Sequence, residues 1–240
     1  MAQPSAHTVK AFDEDLDELR ATICEMGGLV EDAIGESMRA LMQRDVAAAI
    51  RVVENDKKID ALESEVEKSA IQLIALRAPM ADDLRDVVAA LKISAVVERI
   101  GDHAKNIAKR VHVLEDIYQV EPLALLPEMA RIAGEMVHNV LDAFAARDAK
   151  KALDVSDRDQ AVDDFYNSIF RTLLTFMMEN PHNITPATHL LFIAKNLERI
   201  GDQATNLAEM VHFAATGEFL PERRRGEDPA FLTEEGADDG

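Results

Sequence analysis

Aromatic residues are scarce, at 5% of the chain, and tryptophan is absent. Only 10 glycines and 8 prolines punctuate 240 residues, and Ala, Leu, Glu, Asp, Arg and Met dominate instead, a balance that favours helices over strands. One cysteine, Cys24, leaves no internal disulfide to form and suits a reducing compartment. No run of about 18 apolar residues occurs, so no membrane-spanning helix is expected. The first twenty residues carry several acids and lack the apolar stretch of a secretory signal, which makes the expected location cytoplasmic. Basic residues are outnumbered, 26 against 45 acidic ones, for a formal charge of −19. Such a chain should repel nucleic acid and anionic lipid and attract cations or basic protein surfaces.

What the sequence does hold is helical periodicity. From roughly residue 9 to 44, Phe12, Leu16, Leu19, Ile23, Met26, Val30, Ile34, Met38 and Leu41 recur at steps of three and four, one stripe of a long helix. Gly27, Gly28 and Gly35 interrupt its propensity where a neighbouring helix could come close. Asp45 is placed to cap a second helix over about 46–77, with Ile50, Val53, Ile59, Leu62, Val66, Ile71 and Ile74 as its apolar positions. Pro79 ends that helix, and Asp82 or Asp83 caps a third over about 82–118, striped by Ile93, Val97, Ile100, Ala104, Ile107, Val111 and Leu114. Helices of some thirty residues would span roughly 45 Å.

The second half repeats the first. Glu98-Arg99-Ile100-Gly101-Asp102 returns one hundred positions later as Glu198-Arg199-Ile200-Gly201-Asp202. Asn106 and Asn206, then His112 and His212, extend the likeness. Arg147-Asp148 answers Arg44-Asp45, and Asp159 to Asp163 answers Asp56 to Asp60. Thr185-Pro186 reads as the cap and first turn of the last helix. A repeat this long implies a duplicated structural unit. The expected fold is all-α, six long helices in two tandem copies of one unit. The expected domains are residues 1–120 and 121–220, with 221–240, including Arg223-Arg224-Arg225, a disordered tail.

Acids recur four residues apart in each half: Asp56 and Asp60 with Glu98 and Asp102, then Asp159 and Asp163 with Glu198 and Asp202. Spacing i, i+4 puts both members of a pair on one helix face, where like charges repel unless something compensates. Glu98 and Asp102 fall opposite the stripe of Ile100, Ala104 and Ile107, so they are expected to face outward. Gly101 and Gly201 leave bare backbone beside them. Oxygen ligands without fixed nitrogen or sulfur suit Mg, Ca, Mn or oxidised iron. A solvated acidic face is the alternative. His103 becomes Gln203 in the second copy and makes a poor shared ligand. No helix carries the Glu-x-x-His pair of di-iron bundles, and no phosphate-cradling glycine loop or H-E-x-x-H is present.

These motifs resemble the PhoU family of phosphate-specific transport system accessory proteins. The resemblance covers about residues 10–217 and rests on Met26-Gly27-Gly28, Asp56-Lys57-Lys58-Ile59-Asp60 and Arg77-Ala78-Pro79 with Asp83-Leu84-Arg85. It rests equally on both E-R-I-G-D motifs, Leu141-Asp142-Ala143-Phe144 and Phe176-Met177-Met178-Glu179. The second half departs from the proline-to-arginine turn motif, having Pro186-Ala187-Thr188-His189. The resemblance implies two tandem three-helix bundles related by a pseudo-twofold axis, and multinuclear metal clusters, one held by Asp56, Asp60, Glu98 and Asp102, the other by Asp159, Asp163, Glu198 and Asp202. The ion, divalent or trivalent, is left open among Mg, Mn, Fe, Zn and Ca. It further implies a non-enzymatic cytoplasmic adaptor, a homodimer that restrains phosphate uptake and starvation signalling. Its implied partners are the ATPase subunit of the phosphate ABC transporter and a sensor histidine kinase. The rival readings are a structural metal-binding scaffold and a metal-dependent phosphohydrolase or oxidase.

Overall fold

The computed structural model describes residues 6–114 and 124–219, and its regular elements are all helical. Three long helices form the first half: α1 (Ala6–Gln43), α2 (Val46–Arg77) and α3 (Asp82–Leu114). The second half holds α4 (Leu126–Ala146), α5 (Ala149–Ser156), α6 (Asp159–Glu179) and α7 (Ile184–Thr216). α1, α2 and α3 pack on one another as one bundle; α4, α7 and the pair α5 and α6 form the other. These are the six expected rods, with the fifth interrupted. At the interruption stand Ser156-Asp157-Arg158, where α2 has Val53-Glu54-Asn55. Ser and Asp compete with the helical ladder by bonding nearby backbone, and Arg158 N–H turns to Val155 O at 3.0 Å. Among the described residues no helix is long and apolar enough to cross a membrane. The expected domain boundary at 120/121, the tail 221–240 and the last turn of the third helix lie outside the described residues.

The stripes of α1 and α3 are buried along their whole length. That of α2 differs: Ile50 and Ile71 are exposed. Its inner face is instead Val52, Asp56, Ile59, Val66, Ala70 and Leu73, spaced by threes and fours apart from one heptad step after Ile59, and Asp56 falls into it. The turns between rods repeat in atomic detail. Arg44 and Arg147 take left-handed φ values of 55° and 53°. Asp45 N–H donates to Ala40 O and Asp148 N–H to Ala143 O, both at 2.9 Å. Both aspartates then cap: Asp45 Oδ1 accepts from Ala48 N–H, and Asp148 Oδ1 from Lys150 and Lys151 N–H. The other two turns correct the sequence reading. Asp82 and Asp83 lie inside the first turn of α3. α7 starts at Ile184 after a 3-10 turn, Pro181–Asn183, so Thr185 is helical and not a cap.

The two bundles meet where α3 and α7 run antiparallel against each other, with α1 against α4 beside them. Asn196 Nδ2 donates to Phe192 O, leaving Oδ1 3.2 Å from His103 Nδ1. Farther along, Arg110 Nη1 lies 3.2 Å from His189 Nδ1, and its guanidinium sits 4.7 Å over the Phe192 ring. On the α1–α4 side, a Cβ on Gly27 would stand 2.7 Å from Leu141 Cδ1, so that glycine permits the approach. Gly28 and Gly35 face open space and have no such role.

Candidate functional site

The inner face of α2 meets α3 at the E-R-I-G-D motif. A Cβ on Gly101 would lie 3.0 Å from Ile59 Cδ1 and 3.7 Å from Asp56 Oδ1. Glycine therefore lets α2 settle onto the backbone of α3, and the carboxylates flanking it are drawn into the seam. Asp56 is only 5% exposed; Glu98 and Asp102 are half-buried, and Asp60 lies at the solvent edge. The acids do not stand clear of the bundle as the stripe of α3 implied, because α3 is covered by α1, α2 and α7 and keeps little open surface. Two further residues complete the first cluster. Glu63 joins it from α2, one heptad beyond Asp56. Lys105 from α3 bridges the two helices, its Nζ donating to Asp56 Oδ2 at 2.5 Å and pairing also with Asp102.

The second cluster is built by the same approach: a Cβ on Gly201 would meet Val162 Cγ1 at 3.3 Å. It differs from the first in four respects. Asp159 is the first residue of α6, where the helix dipole favours a carboxylate. Tyr166 stands where α2 has Glu63, and Thr205 where α3 has Lys105. Lys195 approaches from the other side of the motif, its Nζ 2.6 Å from Glu198 Oε1 and 5.1 Å from the centre of the Tyr166 ring. Glu198 Oε2 and Thr205 Oγ1 are buried without a hydrogen-bond partner.

Crowded carboxylates shift one another. Burial, then Asp102, Glu63 and Asp60, push Glu98 up to about 7, against the pull of Lys105. Burial and the neighbouring Asp56 and Asp102 also raise Asp60. Burial pulls the Lys105 ammonium down, but its hydrogen bonds to Asp102 and Asp56 more than reverse this and hold it above its usual range. In the second half Asp163 is raised by burial, Asp159 and Asp202, and Glu198 by burial and Asp202 in spite of Lys195. The eight carboxylates singled out by spacing are thus gathered into two electrostatically coupled sets.

The donor chemistry of the second set suits a hard cation: oxygen ligands, mutual repulsion, and the unpaired Glu198 Oε2. The first set does not fit one as it stands, because an ammonium already lies between Asp56 and Asp102. Among the described residues, no three His, Cys, Asp or Glu side chains are grouped so that they could hold a metal ion. His103 belongs to the α3–α7 seam, where it faces Asn196 and burial lowers its pKa. Glu63 and Lys105 escaped the reading of the sequence. Extending the α2 face by threes and fours through Asp56 reaches Glu63, and Lys105 lies one turn beyond Asp102.

Residues 23–111 and 126–211 each match the PhoU domain model, one match per bundle. The chain belongs to the PhoU family. The "phosphate-specific transport system accessory protein PhoU homolog" of Zymomonas mobilis is 58% identical over 236 residues, covering 98% of this chain and 99% of that protein. Its counterpart in Caulobacter vibrioides is 48% identical over 222 residues, covering 91% of this chain and 95% of the other. The crystal structure of PhoU from Pseudomonas aeruginosa superposes with a TM-score of 0.83 at 34% identity, covering 86% of this chain and all of that one. The phosphate transport system regulatory protein PhoU from Streptococcus pneumoniae gives 0.82 at 29% identity over 88% of this chain. This PhoU chain is thus an accessory protein of phosphate transport.

One further feature of this PhoU fold lies in the turn where its halves differ. Asp83-Leu84-Arg85 opens α3, and Arg85 Nε donates to Ala214 O near the C-terminal end of α7 at 3.2 Å. Next to it, Asp86 accepts from Arg20 of α1 at 2.9 Å and from Arg147 of the α4–α5 turn at 2.7 Å. The second half has no arginine at the matching position of its turn; His189 meets Arg110 of α3 instead.

Proposed function

We propose that the chain is a cytoplasmic adaptor that restrains phosphate uptake and phosphate-starvation signalling. It would link the ATPase subunit of the phosphate ABC transporter to a sensor histidine kinase. The observation that supports this reading is the double match to the PhoU domain, together with relatives named as accessory proteins of phosphate-specific transport over nearly their whole length. The protein acts by binding and not by turnover, as a homodimer, and reaches the membrane through its partners. It biases the kinase only insofar as it binds the two transport states with different affinity. Pull-down of the purified ATPase subunit and of the cytoplasmic part of the kinase tests this. Retention of both is expected, and failure to retain either contradicts it.

Metal binding is a second part of the proposal. Asp159, Asp163, Glu198 and Asp202 would hold a divalent or trivalent ion, with Glu198 Oε2 its unpaired oxygen. A bound cation would supply positive charge where burial and repulsion raise Asp163 and Glu198, and so brace α6 against α7. Asp56, Asp60, Glu98 and Asp102 are the matching set in the first half, where Lys105 already contributes a positive charge. A melting temperature raised by added metal and lowered by chelator is expected; curves unmoved by either favour a scaffold whose acids are merely solvated.

A further inference from the structure

The two carboxylate sets descend from one repeat but are neutralised differently. In the first, Lys105 reaches across the α2–α3 seam, its ammonium shared by Asp56 of one helix and Asp102 of the other. Asp56 is buried and Lys105 mostly so, which makes the bridge part of the packed interface and not a surface pairing. The acid on α2 that takes this ammonium sits on the core-facing stripe between Val52 and Ile59. In the second set the equivalent position is Thr205, whose hydroxyl is too short to bridge and is buried without a partner. The second half's own lysine, Lys195, is on the opposite side of the motif; it pairs with Glu198 of its own helix and acts on Asp163 of α6 only through space, without a hydrogen bond across the seam.

We infer that Lys105 is the resident cation of the first carboxylate set, standing where a metal would otherwise lie, so that this set does not take a metal ion. An ammonium between Asp56 and Asp102 uses the oxygen lone pairs a metal would need, and its charge opposes the entry of a second cation. The inference rests on the metal reading above only for what the second half does; the role of Lys105 is read separately.

The test uses the full chain, stripped with chelator and reloaded with Mn(II), with bound Mn per chain read by elemental analysis and helicity by circular dichroism. Lys105→Thr installs the residue the second half carries. It should stay helical and bind more Mn(II) than wild type, roughly doubling it if the sets become equivalent. The gain should vanish in Lys105→Thr with Glu98→Gln and Asp102→Asn. Lys105→Arg keeps the bridging charge and should match wild type, which guards against a variant that merely loosens the fold. In the wild-type background, Glu98→Gln with Asp102→Asn should leave bound Mn(II) unchanged. Loss of metal in that last variant, or no gain in a folded Lys105→Thr, overturns the inference. Wild type that binds no Mn(II) while Lys105→Thr gains it would sink the second-half metal reading and keep this one.

Discussion

Ile59 of α2 rests against the bare backbone of Gly101 on α3, its Cδ1 3.0 Å from where a side-chain carbon would begin. Val162 rests on Gly201 in the same way at 3.3 Å. The same contact, made twice, sets how near the middle rod of each half comes to the last, and so how tightly the acids beside it are crowded.

Replacing Gly101 by valine should therefore force the two helices apart. Alanine there gains about 1 kcal/mol of helix propensity, which offsets a contact Ile59 can partly relieve by moving its tip. Valine adds methyl groups in a place already occupied by Ile59 and Val30 and should cost about 1–3 kcal/mol. Thermal melts should rank wild type and Gly101→Ala close together and Gly101→Val clearly lower. In an Ile59→Ala background, itself destabilised by the cavity at a buried position, the added cost of Gly101→Val should shrink.

Crowding at Glu98 gives stability a pH dependence of defined sign. Its carboxyl is raised from 4.5 to about 7 in the folded chain, by burial first and then by Asp102, Glu63 and Asp60. Between those two values the folded protein holds a proton that the unfolded chain has released, so stability falls as pH rises through this window. In chelated protein, the melting temperature of Glu98→Gln should decline less than that of wild type between pH 5 and about 7. Parallel curves for the two would contradict the assignment.

Asp86 ties both halves through Arg20 and Arg147 and is itself nearly buried. Asp86→Ala leaves two guanidinium groups without their shared acceptor and should cost about 2 kcal/mol, the value of charged hydrogen bonds lost at a partly buried site. Arg147→Ala should cost less than about 1 kcal/mol, since Arg147 is half exposed. Chemical denaturation of the two variants separates these expectations.

Asp45 and Asp148 cap the helices after the two matching turns. Each substituted by alanine should lose about 1 kcal/mol, and the two losses should add because the caps belong to different bundles. Denaturant midpoints of the single and double variants check both statements.

Much of this was legible from residues alone, and the reasons are specific. The stripes on α1 and α3 are regular because those helices bury a face for their whole length, and the doubled E-R-I-G-D motif fixed the repeat. α2 misled: Ile50 and Ile71 are apolar yet exposed, while Asp56 is acidic yet buried, since Lys105 from another helix neutralises it. A one-dimensional pattern does not contain that pairing across forty-nine positions. The outward placement of Glu98 and Asp102 followed from one stripe on α3, whereas α3 is packed by three neighbours. The break between α5 and α6 lay in Ser156 and Asp157 but was masked by the strength of the repeat.

The regulatory reading is tested most directly by measuring phosphate-scavenging gene expression, such as secreted phosphatase activity, in high phosphate. The strain compared with wild type should lack every copy of this gene. Expression that stays on despite abundant phosphate, and is silenced again when the gene is restored, is the predicted result. Normal repression in the absence of the protein would contradict the account.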